Sequence, residues 1–363
     1  MVDFSPHRLI ASLAAGRRPS PEELAALVKL GSPSELALLF AAADRVRRRM
    51  VGEAVHLRAL IEFSNYCQAD CLYCGLRREN TRLERYRLSL EEIEGLITQA
   101  QRLGFGTIVL QSGEDPWYDA DRIARLIRRA KGLGLAVTLS LGEREPEEVD
   151  YWREQGADRY LLRHETANPE LHRRLRPGRT LAGRVGLLRL LKELGYQIGA
   201  GFMVGLPGQT AADLAADLEL AVELEADMVG IGPFIPHPET PLGGEAGGGV
   251  EETLKMVALA RLLLPEALIP ATTALGSLAP DGRERALAAG ANVIMPSLTP
   301  AAARRRYALY PGRICLDESG PQCRACLEER LRRLGRPVAA GPGHSPRWER
   351  RNLLAEPRYF FYR

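Results

Sequence analysis

Eight short β-rich apolar runs recur along the middle of the chain. They are HLRALIEFSN (56–65), TIVLQSG (107–113), LAVTLSLG (135–142), DRYLLRHE (158–165), YQIGAGFMVG (196–205), DMVGIGPF (227–234), LIPATTA (268–274) and ANVIMPS (291–297). Helical patterns such as LEEIEGLITQAQRLG and LAGRVGLLRLLKELG separate them, ending in Gly as helices often do. Strand alternating with helix implies right-handed crossovers and a parallel sheet. Eight strands in about 240 residues are what a closed α/β barrel of the (β/α)8 TIM type requires. An open doubly wound sheet is the structural rival, since closure is not visible in sequence.

In such barrels the active site lies on the loops after the strands. The unusual clusters fall there: CQADCLYC (67–74), QSGEDP (111–116), SLGE (140–143), RHETAN (163–168), VGLPGQT (204–210), GPFIPHPETP (232–241), TTALGS (272–277) and MPSLTP (295–300). Loops at the other end, LGFG and LGLA, are short and plain. Ser20, Ser32 and Ser89 each precede a Glu by three residues, the capping-box pattern that opens a helix. The expected organisation is a helical N-terminal extension (1–50), appended to the main domain, the barrel (51–300), and a C-terminal extension (301–363). The last ends in an Arg/Pro/Gly-rich tail from about 335, expected to be partly disordered, and GGEAGGGVEE (243–252) reads as a flexible loop.

Cys67, Cys71 and Cys74 lie within eight residues, and the next cysteine is Cys315. A four-iron cubane normally takes one thiolate per iron, so three thiolates leave one iron open to bind and activate a substrate. Zinc, or plain buried thiols, is the alternative; zinc would want a fourth ligand nearby. Cys315, Cys323 and Cys326 form a second triad.

Alternation along a strand puts Arg163 and Glu165 on one face and His164 on the other, and gives Thr138 and Ser140 a shared face. Arg163 and Glu165 could be a structural ion pair, or could meet ligands, with Arg163 gripping a carboxylate bidentately. Gly199, Gly201, Met203 and Gly205 share a face, as do Met228, Gly230 and Gly232. Glycines there would hollow the lumen into a chamber; close backbone packing is the competing explanation. Arg184 reads as solvated on its helix unless it reaches a ligand.

CxxxCxxC with Tyr73 before the last Cys resembles the radical S-adenosylmethionine (SAM) superfamily. CLYCGLRREN, RYRLSLEEI, IVLQSGEDPWY, DRYLLRHETANPELHRRLRP, GFMVGLPGQT, MVGIGPFIPHPETPL, IPATTALG and YPGRIC together resemble the HydE family of FeFe-hydrogenase maturases over roughly residues 20–330. The resemblance implies that Cys67, Cys71 and Cys74 hold a 4Fe–4S cluster whose open iron chelates SAM, which is cleaved reductively to a 5′-deoxyadenosyl radical. It implies SAM near Tyr73, Gln111, Ser140, Glu165 and Arg184, with Ser112, Gly113 and Glu114 forming the loop that meets its amino group and Met203 beside it. It further implies a chamber for a cysteine-bound Fe(CO)2(CN) complex, lined by Thr138, Arg163, Met228, Thr272, Thr273, Tyr307 and Tyr310; only one of the two threonines need point inward. The second triad matches an accessory cluster, 2Fe–2S or 4Fe–4S, found in part of the family. Other maturases and an electron donor are the implied partners.

The rivals are radical enzymes of similar layout, biotin synthase or methylornithine synthase, and a non-catalytic carrier of an Fe–S or metal complex. The balance of 49 basic and 46 acidic residues gives no field for nucleic acid or anionic membrane. No apolar run approaches the roughly 18 residues of a membrane span, and no signal peptide is visible, so a cytoplasmic protein with cysteines as thiols or ligands is expected. Only four basic residues are Lys (Lys29, Lys131, Lys192, Lys255), a bias that reads as codon usage.

Overall fold

The structure is a computed structural model that describes residues 5–354. The first barrel stave is interrupted at Arg58 into β1 (His56–Leu57) and β2 (Ala59–Ser64). The next are β3 (Thr107–Ser112), β4 (Ala136–Ser140), β5 (Arg159–Leu161), β6 (Gln197–Val204), β7 (Met228–Pro233) and β8 (Val293–Ile294). Strands β2 to β7 form one parallel sheet in sequence order, and β1 pairs with β8. Bridges Leu60↔Ser297, Met228↔Leu268 and Pro270↔Val293 join the two pieces into a ring. The barrel is therefore closed, and the open sheet is excluded.

The seventh expected strand, 268–274, is reduced to those bridges at Leu268 and Pro270. Pro270 has no N–H for a ladder. Two residues on, Thr272 caps the helix Thr273–Leu278 by accepting from Leu275 N. Helices cover the outside, among them Leu90–Arg102, Pro169–Leu175, Leu181–Glu193 and Ala211–Glu223. The boxes at Ser20, Ser32 and Ser89 all form.

The N-terminal helices Pro6–Ala14, Pro21–Val28 and Pro33–Val51 bury Leu13, Leu24, Leu27, Leu39 and Ala43 in the same apolar core as the barrel. Among the described residues no single helix is long and apolar enough to cross a membrane; the last two of these three, bent by 117°, pass that test only as a pair. The loop 243–252 is pinned where Gly248 lies against Val204 and its N–H bonds Phe234 O (2.8 Å), so it is packed at that point rather than free.

The tail is ordered over its described part and seals the N-terminal end of the barrel. Val338 bridges Val55, and residues 342–345 cross the floor. There Pro342 O accepts from Thr107 Oγ1 and Arg159, and Ser345 N donates to Gln197 Oε1 at 2.9 Å. A final helix, Pro346–Leu354, docks Trp348, whose Nε1 donates to Gly195 O. The reason is local: fully buried Arg159 needs acceptors, and the strap supplies them. Residues 355–363 lie outside the described residues.

Candidate functional site

At the opposite end, β2 delivers the chain into the cysteine loop. Glu114 N donates to Cys67 Sγ at 3.3 Å, and Gln68 N donates to Glu114 O. Gly113 is pressed so closely on this turn that a Cβ there would stand 2.8 Å from Cys67 Cβ and inside contact with Tyr66 O. All three thiols are half-buried or deeper. Burial pushes Cys67 up to about 11, with the Glu114 N–H opposing; it pushes Cys71 up as well, against Arg176 and Arg184 nearby, and Cys74 further still. Tyr73 packs beside Leu171, Leu175, Met203, Leu206 and Phe234.

Beyond the loop lies a charged network that the sequence reading largely missed. Glu143 takes Arg184 at 2.7 Å, Arg176 at 3.2 Å and Arg179 at 3.3 Å; Glu114 takes Arg179 at 2.7 Å. Despite burial, these cations hold the Glu143 carboxyl below its usual range. Arg184 is buried, not solvated, and its Nε donates to Arg163 O (2.5 Å). The Glu114 side chain thus belongs to this network, while its backbone bonds the cysteine loop. Arg176 and Arg179, in RLRPGRT, carried no signal beyond an arginine-rich turn.

Inside the lumen, Arg163 and Glu165 pair at 3.3 Å, and Arg184 stands 4.0 Å from Glu165. Glu165 adopts φ 70°, the left-handed region that costs a non-glycine residue about 1–3 kcal/mol. His164 turns outward, fully buried, with Nε2 3.4 Å from Asp217 Oδ1. Asp217 also accepts from Ala167 N and Gln209 Nε2, which ties RHETAN to VGLPGQT. Burial raises the Asp217 carboxyl, opposed by His164.

Gln111 Nε2 donates to Tyr307 OH at 3.3 Å, and Gln111 sits in register with Ser140. The Ser112 hydroxyl is used locally, on Gly113 O. Met203 lies in the apolar cluster with Tyr73's neighbours. Thr272 faces Gly232, Thr273 opens the following helix, and Tyr310 lies against Ser277 and Arg313. A further pair escaped sequence reasoning: Glu62, buried on β2, binds Arg313 and accepts from Ser297 Oγ (3.0 Å). Burial disfavours charge on Arg313, and Glu62 more than reverses this.

The glycines split by strand. A Cβ at Gly199 would meet Leu161 Cδ1 at 2.5 Å, and one at Gly201 would enter the Gly230 backbone, so β6 uses glycine for close approach rather than to hollow the lumen. On β7, Gly230 gives room to the Arg163 stem (3.4 Å) and Gly232 to Thr272 (3.5 Å). At the floor, Arg58, Thr138, Met228 and Gly230 line an enclosed cavity of about 10 Å³, close to one water. Arg58 and Arg159, both buried there, were also not anticipated.

The second triad lies beside Arg283, whose Nη2 is 3.4 Å from Cys315 Sγ. The Cys323 thiol bonds Cys315 and, with Arg283, brings it down to about 6 against burial; Cys323 moves up. Cys326 is exposed. Among the described residues no three Cys, His, Asp or Glu side chains stand together as ligands of a single ion, which holds for both cysteine triads and does not separate zinc from an iron–sulfur cluster.

The loop fits an iron–sulfur cluster by its donor set: three cysteines on one loop, with the next cysteine in the chain only at Cys315. On the lumen side Glu165 Oε2 has the Arg163 ion pair at 3.3 Å but no hydrogen bond, and deeper, at the floor cavity, Thr138 Oγ1 is buried without a partner; both are places where a polar ligand adds a bond.

Comparison with known proteins agrees with this geometry. Residues 61–221 match the model of the Radical SAM superfamily. The chain is 57% identical over 298 residues to the FeFe hydrogenase maturase subunit HydE of Thermotoga maritima, covering 82% of this chain and 86% of that one. It is 36% identical over 282 residues to the 3-methylornithine synthase of Methanosarcina acetivorans, covering 77% and 79%. The crystal structure of a methylornithine synthase (PylB) superposes with a TM-score of 0.80 at 31% identity, over 91% of this chain and 97% of that one.

Proposed function

This chain belongs to the radical SAM superfamily and, within it, to the HydE maturases, and from that premise we propose that it advances a small iron complex towards the catalytic cluster of an FeFe-hydrogenase. The family is one of radical SAM enzymes and carries with it a 4Fe–4S cluster and SAM. Bound together, these supply a 5′-deoxyadenosyl radical, directed in our reading at the cysteine sulfur of an Fe(CO)2(CN)–cysteine precursor.

The chain's own residues bind, orient and exclude water. Cys67, Cys71 and Cys74 hold the cluster, and Tyr73, Gln111, Ser140, Glu165, Arg184 and Met203 flank SAM, with the Ser112–Gly113–Glu114 backbone. Arg163 holds the cysteine carboxylate; the observation that carries this is its position, stem over Gly230 and fork beside Glu165 within the lumen, a third exposed rather than locked away. Thr138, Met228, Thr272, Thr273, Tyr307 and Tyr310 shape the rest of the chamber. No protein acid–base catalyst is required, since the cofactor carries the chemistry. Cys315, Cys323 and Cys326 hold an accessory cluster. Partner maturases supply the substrate and a reductase the electron, in the cytoplasm, where cysteines stay reduced and open to iron.

The test is anaerobic turnover of reconstituted, dithionite-reduced protein with SAM, with and without the cysteine-bound iron complex. The expected result is weak SAM cleavage alone, strong stimulation by the complex, and loss of both in Cys71→Ala. Cleavage indifferent to the complex would move the assignment to a methylornithine synthase or biotin synthase chemistry. A loaded cluster with no cleavage would leave only a carrier.

A further inference from the structure

Arg85 opens the RYRLSLEEI stretch, on the segment that follows the cysteine loop, and has been given no role so far. That segment turns back on the end of β2: Leu88 N donates to Phe63 O, Ser64 bridges Arg87, and Tyr86 N donates to Asn65 Oδ1 at 2.7 Å. Asn65 answers with Nδ2 on Glu84 O (2.9 Å). This antiparallel return brings the Arg85 side chain beneath the loop. Its fork then donates four times to backbone: Nη1 to Asn65 O (2.6 Å) and Leu76 O (2.9 Å), Nη2 to Arg77 O (2.7 Å) and Asn80 O (3.2 Å).

Those four carbonyls bracket the loop. Asn65 stands two residues before Cys67, and Leu76, Arg77 and Asn80 follow Cys74. One planar guanidinium therefore ties the loop's entrance to its exit with all four of its terminal N–H groups. None of the four bonds goes to a carboxylate, so its charge is not cancelled by an acid it binds. The bonds to Asn65 O and Leu76 O, each two residues from a cysteine, set the charge by the loop; burial disfavours it, and Cys67, Cys74 and Tyr66 favour it.

We propose that Arg85 is the positioning residue of the cluster loop, clamping its two ends and holding a positive charge beside the Cys67 and Cys74 corners. The inference rests on the loop's holding an iron–sulfur cluster. Two consequences separate. The clamp needs the fork, because an ammonium has three donors on a flexible stem and cannot span four fixed carbonyls. The charge favours the more negative, reduced cluster, and needs only a cation.

The experiment compares the parent chain with Arg85→Gln and Arg85→Lys after anaerobic reconstitution. Iron and sulfide per chain, the rate of cluster loss to a chelator, and the midpoint potential by EPR-monitored titration are measured; far-UV circular dichroism of the cluster-free chains reports folding. Arg85→Gln is expected to lose its cluster about tenfold faster, the equivalent of one charge-assisted hydrogen bond, and to have a more negative potential. Arg85→Lys is expected to lose the cluster nearly as fast, with a potential close to the parent's. A lysine variant as retentive as the parent would overturn the clamp, and an unchanged potential in Arg85→Gln would overturn the charge. If Arg85→Gln does not fold, Arg85→Lys still decides the clamp, since slow cluster loss refutes it, and Arg85→Met read in the same titration decides the charge, since an unchanged potential refutes it. A parent chain that takes up no cluster would instead sink the assignment of the loop.

Discussion

Acidification should release the C-terminal strap from the barrel floor. His344 Nδ1 faces two donors, Arg159 Nη2 at 2.9 Å and Gln197 Nε2 at 2.6 Å. The Gln197 amide is fixed by its Oε1, which accepts from Ser345 N, so Nδ1 can only accept and the ring must be neutral. His56 lies directly beneath Gly343, close to Arg58 and Arg159. Burial, and then those arginines, bring both histidines from 6.5 down to about 4; Asp158 pulls His344 the other way, with Lys131 adding to the lowering. A depressed histidine is neutral when docked and charges when released, so docking is at full strength above pH 7.5 and weakens as pH falls through 6.5 towards 4. From these values each histidine costs about 2 kcal/mol of docking between pH 7.5 and pH 5. That is about 30-fold in the opening equilibrium for one ring and about a thousandfold where both must charge. Hydrogen exchange of residues 338–350, corrected for intrinsic rates, measures it, with Trp348 fluorescence as a second reporter. His344→Gln, which can keep an acceptor without titrating, should lose about half of the pH dependence. Exchange in the strap that follows only intrinsic chemistry from pH 7.5 to 5 would refute the reasoning.

Three further outcomes follow from the site. Gly113→Ala should cost about 1–3 kcal/mol, because the new methyl enters the Tyr66–Cys67 turn, and should lower iron uptake on reconstitution; calorimetry and iron analysis check both. Glu62→Leu strands the nearly buried Arg313 without its acid and should cost about 3–5 kcal/mol in denaturant unfolding, whereas the double change Glu62→Leu with Arg313→Met should recover much of it. Asp217→Ala, which removes the acceptor of His164, Ala167 N and Gln209, should destabilise by a similar 3–5 kcal/mol and weaken SAM binding by equilibrium dialysis, while Asp217→Asn keeps most of both.

The parts of this molecule that were legible in sequence are those with local causes. Strand and helix periods, capping serines and the Cys67–Cys71–Cys74 spacing are set within a few residues, and the loop polarity follows from the fold class. What was not legible depends on partners far along the chain. Glu62 and Arg313 are 251 residues apart, and neither has a neighbour in sequence that announces the other. Gly201 and Gly230 look alike in their strands, yet one admits a neighbouring backbone and the other an arginine stem, which only the barrel's register decides. The strand expected at 268–274 failed for a local reason that was open to reading: Pro270 followed by a capping threonine.

The arginine bias read from the sequence as codon usage includes five residues with a structural role of their own. Arg304, nearly fully buried, donates to the carbonyls of Ser297, Thr299, Cys315 and Glu318. Arg261 donates to Gly290 O and Pro265 O, Arg336 to Glu53 O and Leu287 O, and Arg159 to Pro342 O and Gly343 O. Arg85 does the same for the cysteine loop. Loops between strand and helix leave carbonyls without ladder partners, and a buried carbonyl left bare is costly. A planar fork reaches two or more of them at fixed angles across chain segments that no backbone N–H can approach, which the lysine ammonium cannot match. Burial lowers these guanidinium groups, Arg261 to about 9 and Arg159 and Arg336 to about 10, which leaves all three protonated at neutral pH. The cations therefore persist inside the fold as multi-armed donors, and the long-range closure of cysteine loop, second triad and floor strap depends on them rather than on apolar packing alone.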